Sequence, residues 1–176
     1  FLSIFFKNSL HIGYWQNLNY LSNLNYRLDI NQLKVNDAIR DKIISCNSVS
    51  IGVRRGDFVK LGDIVCDEKY YQKAINIINK LPSEHTYFIF SDDIEWCKKN
   101  MNITNNHFFV KANQDTPFEN MELMSLCKHN IISNSTYDWW GATLNKNNNK
   151  VIICPKYWTP EKNEVNKSLI PEEWVK

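Results

Sequence analysis

Val49-Ser50-Ile51-Gly52-Val53-Arg54-Arg55-Gly56-Asp57 reads as a short β-branched strand that runs straight into two arginines, a glycine and an acid. In an open α/β sheet, ligands bind at the C-terminal ends of the strands, so this strand end is the first place to expect a site. Two guanidiniums there suit an anion. The planar fork of arginine gives permanently charged, bidentate hydrogen bonds to phosphate, and Gly56 permits the close backbone approach such a turn needs. Asp57 is placed to orient one arginine or to hold the turn. A surface ion pair after a strand is the competing reading of the same residues.

From about residue 49 onward, β-branched and aromatic runs alternate with amphipathic segments, the pattern of βα units around a parallel sheet. Strands are expected at 49–53, 86–90, 107–111, 130–133 and 150–154. A helix over 68–80 places Tyr71, Ala74, Ile75, Ile78 and Leu81 at steps of three and four. Thr116-Pro117-Phe118-Glu119 has the N-cap, first-turn proline and acid of a helix start, opening a helix that carries Met121, Leu123, Met124, Leu126 and Cys127. Residues 36–45 suit one more helix, the chain before them has no clear period, and Lys146-Asn147-Asn148-Asn149-Lys150 suits an exposed turn.

Two further strand ends carry polar groups. Phe90-Ser91-Asp92-Asp93 stops a hydrophobic run in a Ser and two acids; these serve either as partners for N–H and O–H donors of a ligand or as a helix N-cap, and the two aspartates can divide the roles. Asn134-Ser135-Thr136 follows the fourth strand, where hydroxyls and free N–H groups at a helix start make an anion site without formal charge. Ser135 with Asp138 also fits a capping box, a purely structural use. Trp139 and Trp140, followed by Gly141 and Ala142, are expected to pack this helix on the sheet. Together the three ends fit a nucleotide diphosphate joined to a further group. Neither G-x-x-x-x-G-K-[ST] nor G-x-G-x-x-G occurs, which removes the main support for a P-loop or a dinucleotide oxidoreductase. The four scattered histidines read as solvated or structural, and without an Asp-x-Asp pair a metal-free mechanism leaning on arginine is expected.

The chain of 176 residues, 43% hydrophobic and 23% charged, has room for one sizeable core but hardly for two full domains. A net charge of +2 with dispersed basic residues disfavours nucleic acid as a partner. Five cysteines, odd in number and without C-x-x-C spacing, read as reduced and mostly buried thiols. The apolar runs are too short for a spanning helix, and no signal peptide is evident. Phe1-Leu2-Ser3-Ile4-Phe5-Phe6 reads as a chain already under way, so part of a longer protein is expected.

Five segments, in order, resemble the α-1,2-fucosyltransferases of glycosyltransferase family 11, especially bacterial members. They are Gly13-Tyr14-Trp15-Gln16, the run from Val53 to Val59, the run from Phe90 to Trp96, the run from Ile132 to Ala142, and the run from Val151 to Trp158. The resemblance implies an α/β fold, a Rossmann-like parallel sheet flanked by helices, forming the C-terminal half of a GT-B glycosyltransferase. Residues 36–176 would be the GDP-fucose-binding domain and 1–35 a remnant of, or linker from, the acceptor domain. Arg54, with Arg55 beside it, would bind the β-phosphate of GDP-fucose and stabilise the leaving diphosphate. Ser135 and Thr136, with Asn134, would add hydrogen bonds, while Asp92 or Asp93 would reach the guanine or ribose. The implied reaction is an inverting transfer of L-fucose to the 2-hydroxyl of a galactoside, with no metal or other cofactor. The acceptor would be a β-galactoside-terminated glycan or a lipid-linked oligosaccharide of surface glycan or O-antigen synthesis. Another GDP-sugar transferase, or a catalytically silent nucleotide-sugar-binding fragment, are the alternatives. Abundant Asn, Lys and Ile suggest a low-GC bacterium, hence a cytoplasmic enzyme, peripheral at the inner membrane face. Many family members have His where this chain has Gly52, which would alter base recognition. Asp138, often Ser in relatives, is expected to face solvent.

Overall fold

A computed structural model describes residues 16–17, 37–63, 66–111, 117–161 and 169–176. Five strands form one wholly parallel sheet: β1 (Ser48–Val53), β2 (Thr86–Ser91), β3 (His107–Lys111), β4 (His129–Ile131) and β5 (Ile152–Ile153), in the spatial order β3-β2-β1-β4-β5. The central strand β1 is buried along its whole length, as a parallel strand covered on both faces must be. It pairs Val53 with Ser91 of β2 on one side and Ile51 with Ile131 of β4 on the other. The chain therefore runs outward from β1 to β3 and then returns to the far side of β1. This reversal opens a crevice at the C-terminal ends of β1 and β4.

Alternate side chains along the strands feed two helical layers. Val49, Ile51, Tyr87 and Ile89 pack against Tyr71, Ala74, Ile75 and Ile78 of α3 (Glu68–Ile78) and Cys97 of α4 (Ile94–Asn100). Phe88, Phe90 and Val110 pack on the opposite face against Ile43 of α1 (Asp37–Ile44) and Leu123 and Met124 of α5 (Pro117–Leu126). The stripe expected over 68–80 is the buried face of α3, started by Asp67, which accepts from the Tyr70 backbone N–H at 2.9 Å. A third cluster at the β5 edge joins Trp139 and Ala142 of α6 (Thr136–Thr143) to Ile152, Cys154, Ile170 and Trp174. Trp139 is fully buried and its indole N–H donates to the Leu169 carbonyl at 2.6 Å, so the tryptophan pair does pack this helix. A Cβ on Gly141 would lie 3.0 Å from the Cβ of Met124, and that closeness lets α6 lie tightly on α5.

Several expectations shift at the edges. Residues 56–61, read as a turn, form a short helix, α2 (Gly56–Leu61), ended by Gly62 in the left-handed conformation at φ 76°. β4 stops at Ile131, and β5 is two residues long where five were expected, because only Ile152 and Ile153 find ladder partners on the short β4; on its outer side Val175 bridges Ile153. Thr116, the expected cap of α5, the 35/36 domain boundary and the run from Phe1 to Trp15 lie outside the described residues. All five cysteines are free thiols and four are buried, Cys46 being half-buried. Among the described residues, no helix is long and apolar enough to cross a membrane.

Candidate functional site

A pocket of about 820 Å³ lies over the C-terminal ends of β1, β2 and β4, at the crevice the strand order creates. Its β1 side is Arg54. One guanidinium nitrogen meets Asp57 at 2.8 Å and the other meets Asp92 at 3.0 Å, so two carboxylates hold the group while two-fifths of the side chain stays open to solvent. Each terminal nitrogen keeps a second N–H, which leaves the fork able to grip an anion. Asp92 also accepts from the Arg55 backbone N–H at 2.9 Å, and the Ser91 hydroxyl donates to the Val53 carbonyl at 3.0 Å, so the ends of β1 and β2 are stitched together. A Cβ on Gly56 would stand 2.7 Å from the Asp92 carboxylate, which is the close approach the glycine permits.

The two arginines part company at this point. Arg55 lies 4.1 Å above the Trp96 ring and its Nε donates to Asp93 at 3.2 Å, away from the residues that line the pocket. Asp93 in turn caps α4 by accepting from the Trp96 backbone N–H at 3.1 Å. The acids thus divide the roles: Asp93 caps and braces, Asp92 lines the pocket. Successive residues leaving a strand point opposite ways, so one arginine faces the crevice and its neighbour the helix layer.

Opposite Arg54 stands the start of α6. Ser135 occupies the N-cap without a side-chain capping bond, and the first backbone N–H groups of the helix have no intrahelical partner. An anion is favoured there by both the donors and the helix dipole. Thr136 lines the pocket and donates its hydroxyl to Gln16 Oε1 at 2.9 Å. Asn134 also lines it, but its amide is spent on the Asp63 and Trp158 carbonyls at 2.9 and 3.1 Å, holding two wall loops together. The Tyr70 hydroxyl, donating to the Ile132 carbonyl at 2.6 Å, and the Tyr71 hydroxyl, donating to the Gly52 carbonyl at 3.2 Å, fix the ends of β4 and β1 from the α3 side.

Two residues here escaped the sequence reading. Gln16 lines the pocket with its amide nitrogen buried and without a hydrogen-bond partner among the described residues; the signal for it was its place at the end of Gly13-Tyr14-Trp15-Gln16. Asp138, expected to face solvent, is 5% exposed and lines the pocket. Its Oδ2 accepts from both the backbone N–H and the hydroxyl of Ser133, and its carboxylate fills the space a side chain at position 52 would take. The reason is steric: with glycine at 52, the third residue of α6 folds inward beneath β1. Burial pushes its carboxyl up from 3.8 to about 6, against the pull of the Ser133 bonds and Arg54, with Asp92 adding to the rise.

The glycosyl transferase family 11 profile matches residues 3–176. The chain belongs to glycosyl transferase family 11. Among family relatives, an Escherichia coli alpha-1,2-colitosyltransferase is 36% identical over 94% of this chain and 61% of its own length. The Escherichia coli O-antigen biosynthesis glycosyltransferase WbnK is 34% identical over 74% of this chain and 45% of its own. A Mus musculus galactoside 2-alpha-L-fucosyltransferase, Sec1, is 29% identical over 54% of the chain and 28% of its own. This family 11 chain thus spans between about half and three-fifths of the length of the bacterial relatives it matches. A solved structure of NodZ alpha-1,6-fucosyltransferase co-crystallized with GDP aligns at a TM-score of 0.46 and 18% identity, covering 61% of this chain and 39% of that one.

Proposed function

We propose that the pocket is the donor site of an inverting sugar transferase that moves L-fucose from GDP-fucose to the 2-hydroxyl of a galactoside. The observation that supports this most is the placement of Arg54, free to grip an anion, across the crevice from the unsatisfied N-terminus of α6. A diphosphate bridging the two receives charge-assisted bonds from one side and backbone donors from the other. In the transfer, the acceptor oxygen bonds to the anomeric carbon as the bond from that carbon to the β-phosphate oxygen breaks. GDP leaves with the bonding electrons, and the hydroxyl proton passes to solvent or a base. Charge grows on the departing phosphate, where Arg54 is the catalytic residue; a positioned donor of this kind contributes about 3–4 kcal/mol. No divalent metal is required in this scheme, so EDTA is expected to leave the rate unchanged.

The full activity, the lipid-linked or glycan acceptor of O-antigen synthesis and a peripheral seat at the inner membrane face belong to the same proposal. A second donor is favoured by the 36% identical colitosyltransferase: colitose is L-fucose without its 3-hydroxyl. Calorimetry of the full-length protein against GDP-fucose, GDP-colitose, GDP-mannose and UDP-galactose, followed by transfer assays to a β-galactoside, tests the reading. Binding of GDP and one GDP-deoxysugar, lost in Arg54→Ala and absent for UDP-galactose, is the expected result. A folded protein that ignores guanine nucleotides sinks it.

A further inference from the structure

The buried carboxyl of Asp138 has no explanation in the phosphate-binding parts. A group whose only task was to hold the turn before α6 would need one hydrogen-bond acceptor, and an asparagine supplies that without burying an ionisable group. Only Oδ2 does this work, through Ser133. Oδ1 has no hydrogen-bond partner among the described residues, in a side chain that lines the pocket. The position is enforced from behind. A Cβ at residue 52 would lie 2.2 Å from Oδ2, 2.3 Å from Cγ and 2.6 Å from Oδ1, distances no real pair of atoms sustains. Glycine at 52 is therefore the condition for the carboxyl to sit where it does.

We propose that Asp138 recognises the donor: its Oδ1 accepts a hydrogen bond from a hydroxyl of the nucleotide sugar seated between the ends of β1 and β4, with the carboxyl itself occupying the space that Gly52 leaves. The inference rests on the donor-site reading above. A carboxylate repels the phosphates, so its partner is a hydrogen-bond donor. With one oxygen committed to Ser133, it cannot meet the two adjacent N–H groups of a guanine edge. What remains beside a diphosphate held at Arg54 and α6 are the hydroxyls on either flank, those of the ribose or of the transferred sugar.

The test is Asp138→Asn in the full-length protein, with dissociation constants for GDP and GDP-fucose read by calorimetry and the melting temperature beside them. The amide keeps the Ser133 contact, so melting is expected to be unchanged or raised, while affinity falls about tenfold or more. A loss for both ligands assigns the ribose, and a loss for GDP-fucose alone assigns the sugar. Gly52→Ala, which displaces the carboxyl without touching its chemistry, is expected to weaken binding in the same sense, and to cost nothing further on an Asp138→Ser background. Wild-type affinity in Asp138→Asn, or fully additive losses for Gly52→Ala and Asp138→Ser, overturns the proposal and leaves the donor site standing. Failure of the wild-type protein to bind GDP overturns both.

Discussion

At the scale of single residues, the site turns on the different fates of Arg54 and Arg55. Arg54→Lys retains a charge but loses the fork that Asp57 and Asp92 hold from two sides, so turnover is expected to fall nearly as far as in Arg54→Ala, by about a hundredfold or more. Arg55→Ala removes the brace on Asp93 and the stack on Trp96, and its first effect should be a lower melting temperature. Steady-state kinetics and melting curves on the two alanine variants, side by side, check the division; equal kinetic losses would refute it. Asp138 makes a pH prediction with a definite sign. Its folded carboxyl titrates near 6 against 3.8 unfolded, so between those values the native state holds the extra proton and stability falls as pH rises. The cost levels off above pH 6 at about 3 kcal/mol, from 1.36 kcal/mol per unit. Asp138→Asn should therefore gain stability over the wild type as pH climbs from 4 to 7, read as the difference in urea midpoints. The doublet Arg54-Arg55 was visible in the sequence, yet which arginine faces the crevice was not, since that depends on where the strand lets go of its partners. Asp138 was misjudged for a related reason: whether a polar residue three into a helix faces out or in depends on a glycine 86 positions earlier in the chain.

At the scale of elements, the strand and helix pattern was legible wherever a stripe or a β-branched run met a buried face, as in β1, β2 and α3. It failed where an element is short and set by tertiary contact. The helix α2 buries none of its residues and has no apolar stripe to announce it. β5 is held to two residues by the shortness of its ladder partner β4, a limit no local pattern encodes. The packing of α6 on α5 offers a test at this scale. Gly141→Val inserts branched carbons where the Met124 Cβ stands only 3.0 Å from an added Cβ, and should cost about 1–3 kcal/mol in the urea midpoint. Because α6 carries Ser135 and Thr136 at its start, the same variant should also weaken GDP binding, whereas equally destabilising changes in α3 stripe residues such as Ile78 should not.

At the scale of the whole molecule, the pocket exists only because the chain leaves β3 and comes back to the middle of the sheet. A second titration acts on the fold from the opposite end of the strands. His85 and His129 face each other edge to face at 5.6 Å, burial holds both below the ordinary 6.5, and the His129 Nδ1 accepts the Val151 backbone N–H. The unfolded chain takes up these protons first, so stability is lost as pH falls below 6.5, opposite in sign to Asp138. Replacing His129 by Gln should flatten the acid limb of a stability–pH curve and leave the limb due to Asp138 in place.

The returning strand also has a consequence in time. Ser50 on β1 meets its hydrogen-bond partner Asn130 eighty residues later, and a contact so distant along the chain must close a long loop before it yields any energy. During synthesis, β1, β2 and β3 emerge first, and until β4 arrives the strand that ends up buried along its whole length is an open edge carrying Val49 and Ile51. Nascent or truncated chains that end before residue 129 are therefore the species most prone to aggregate, and the finished protein hides in its centre the strand that is most adhesive while it folds.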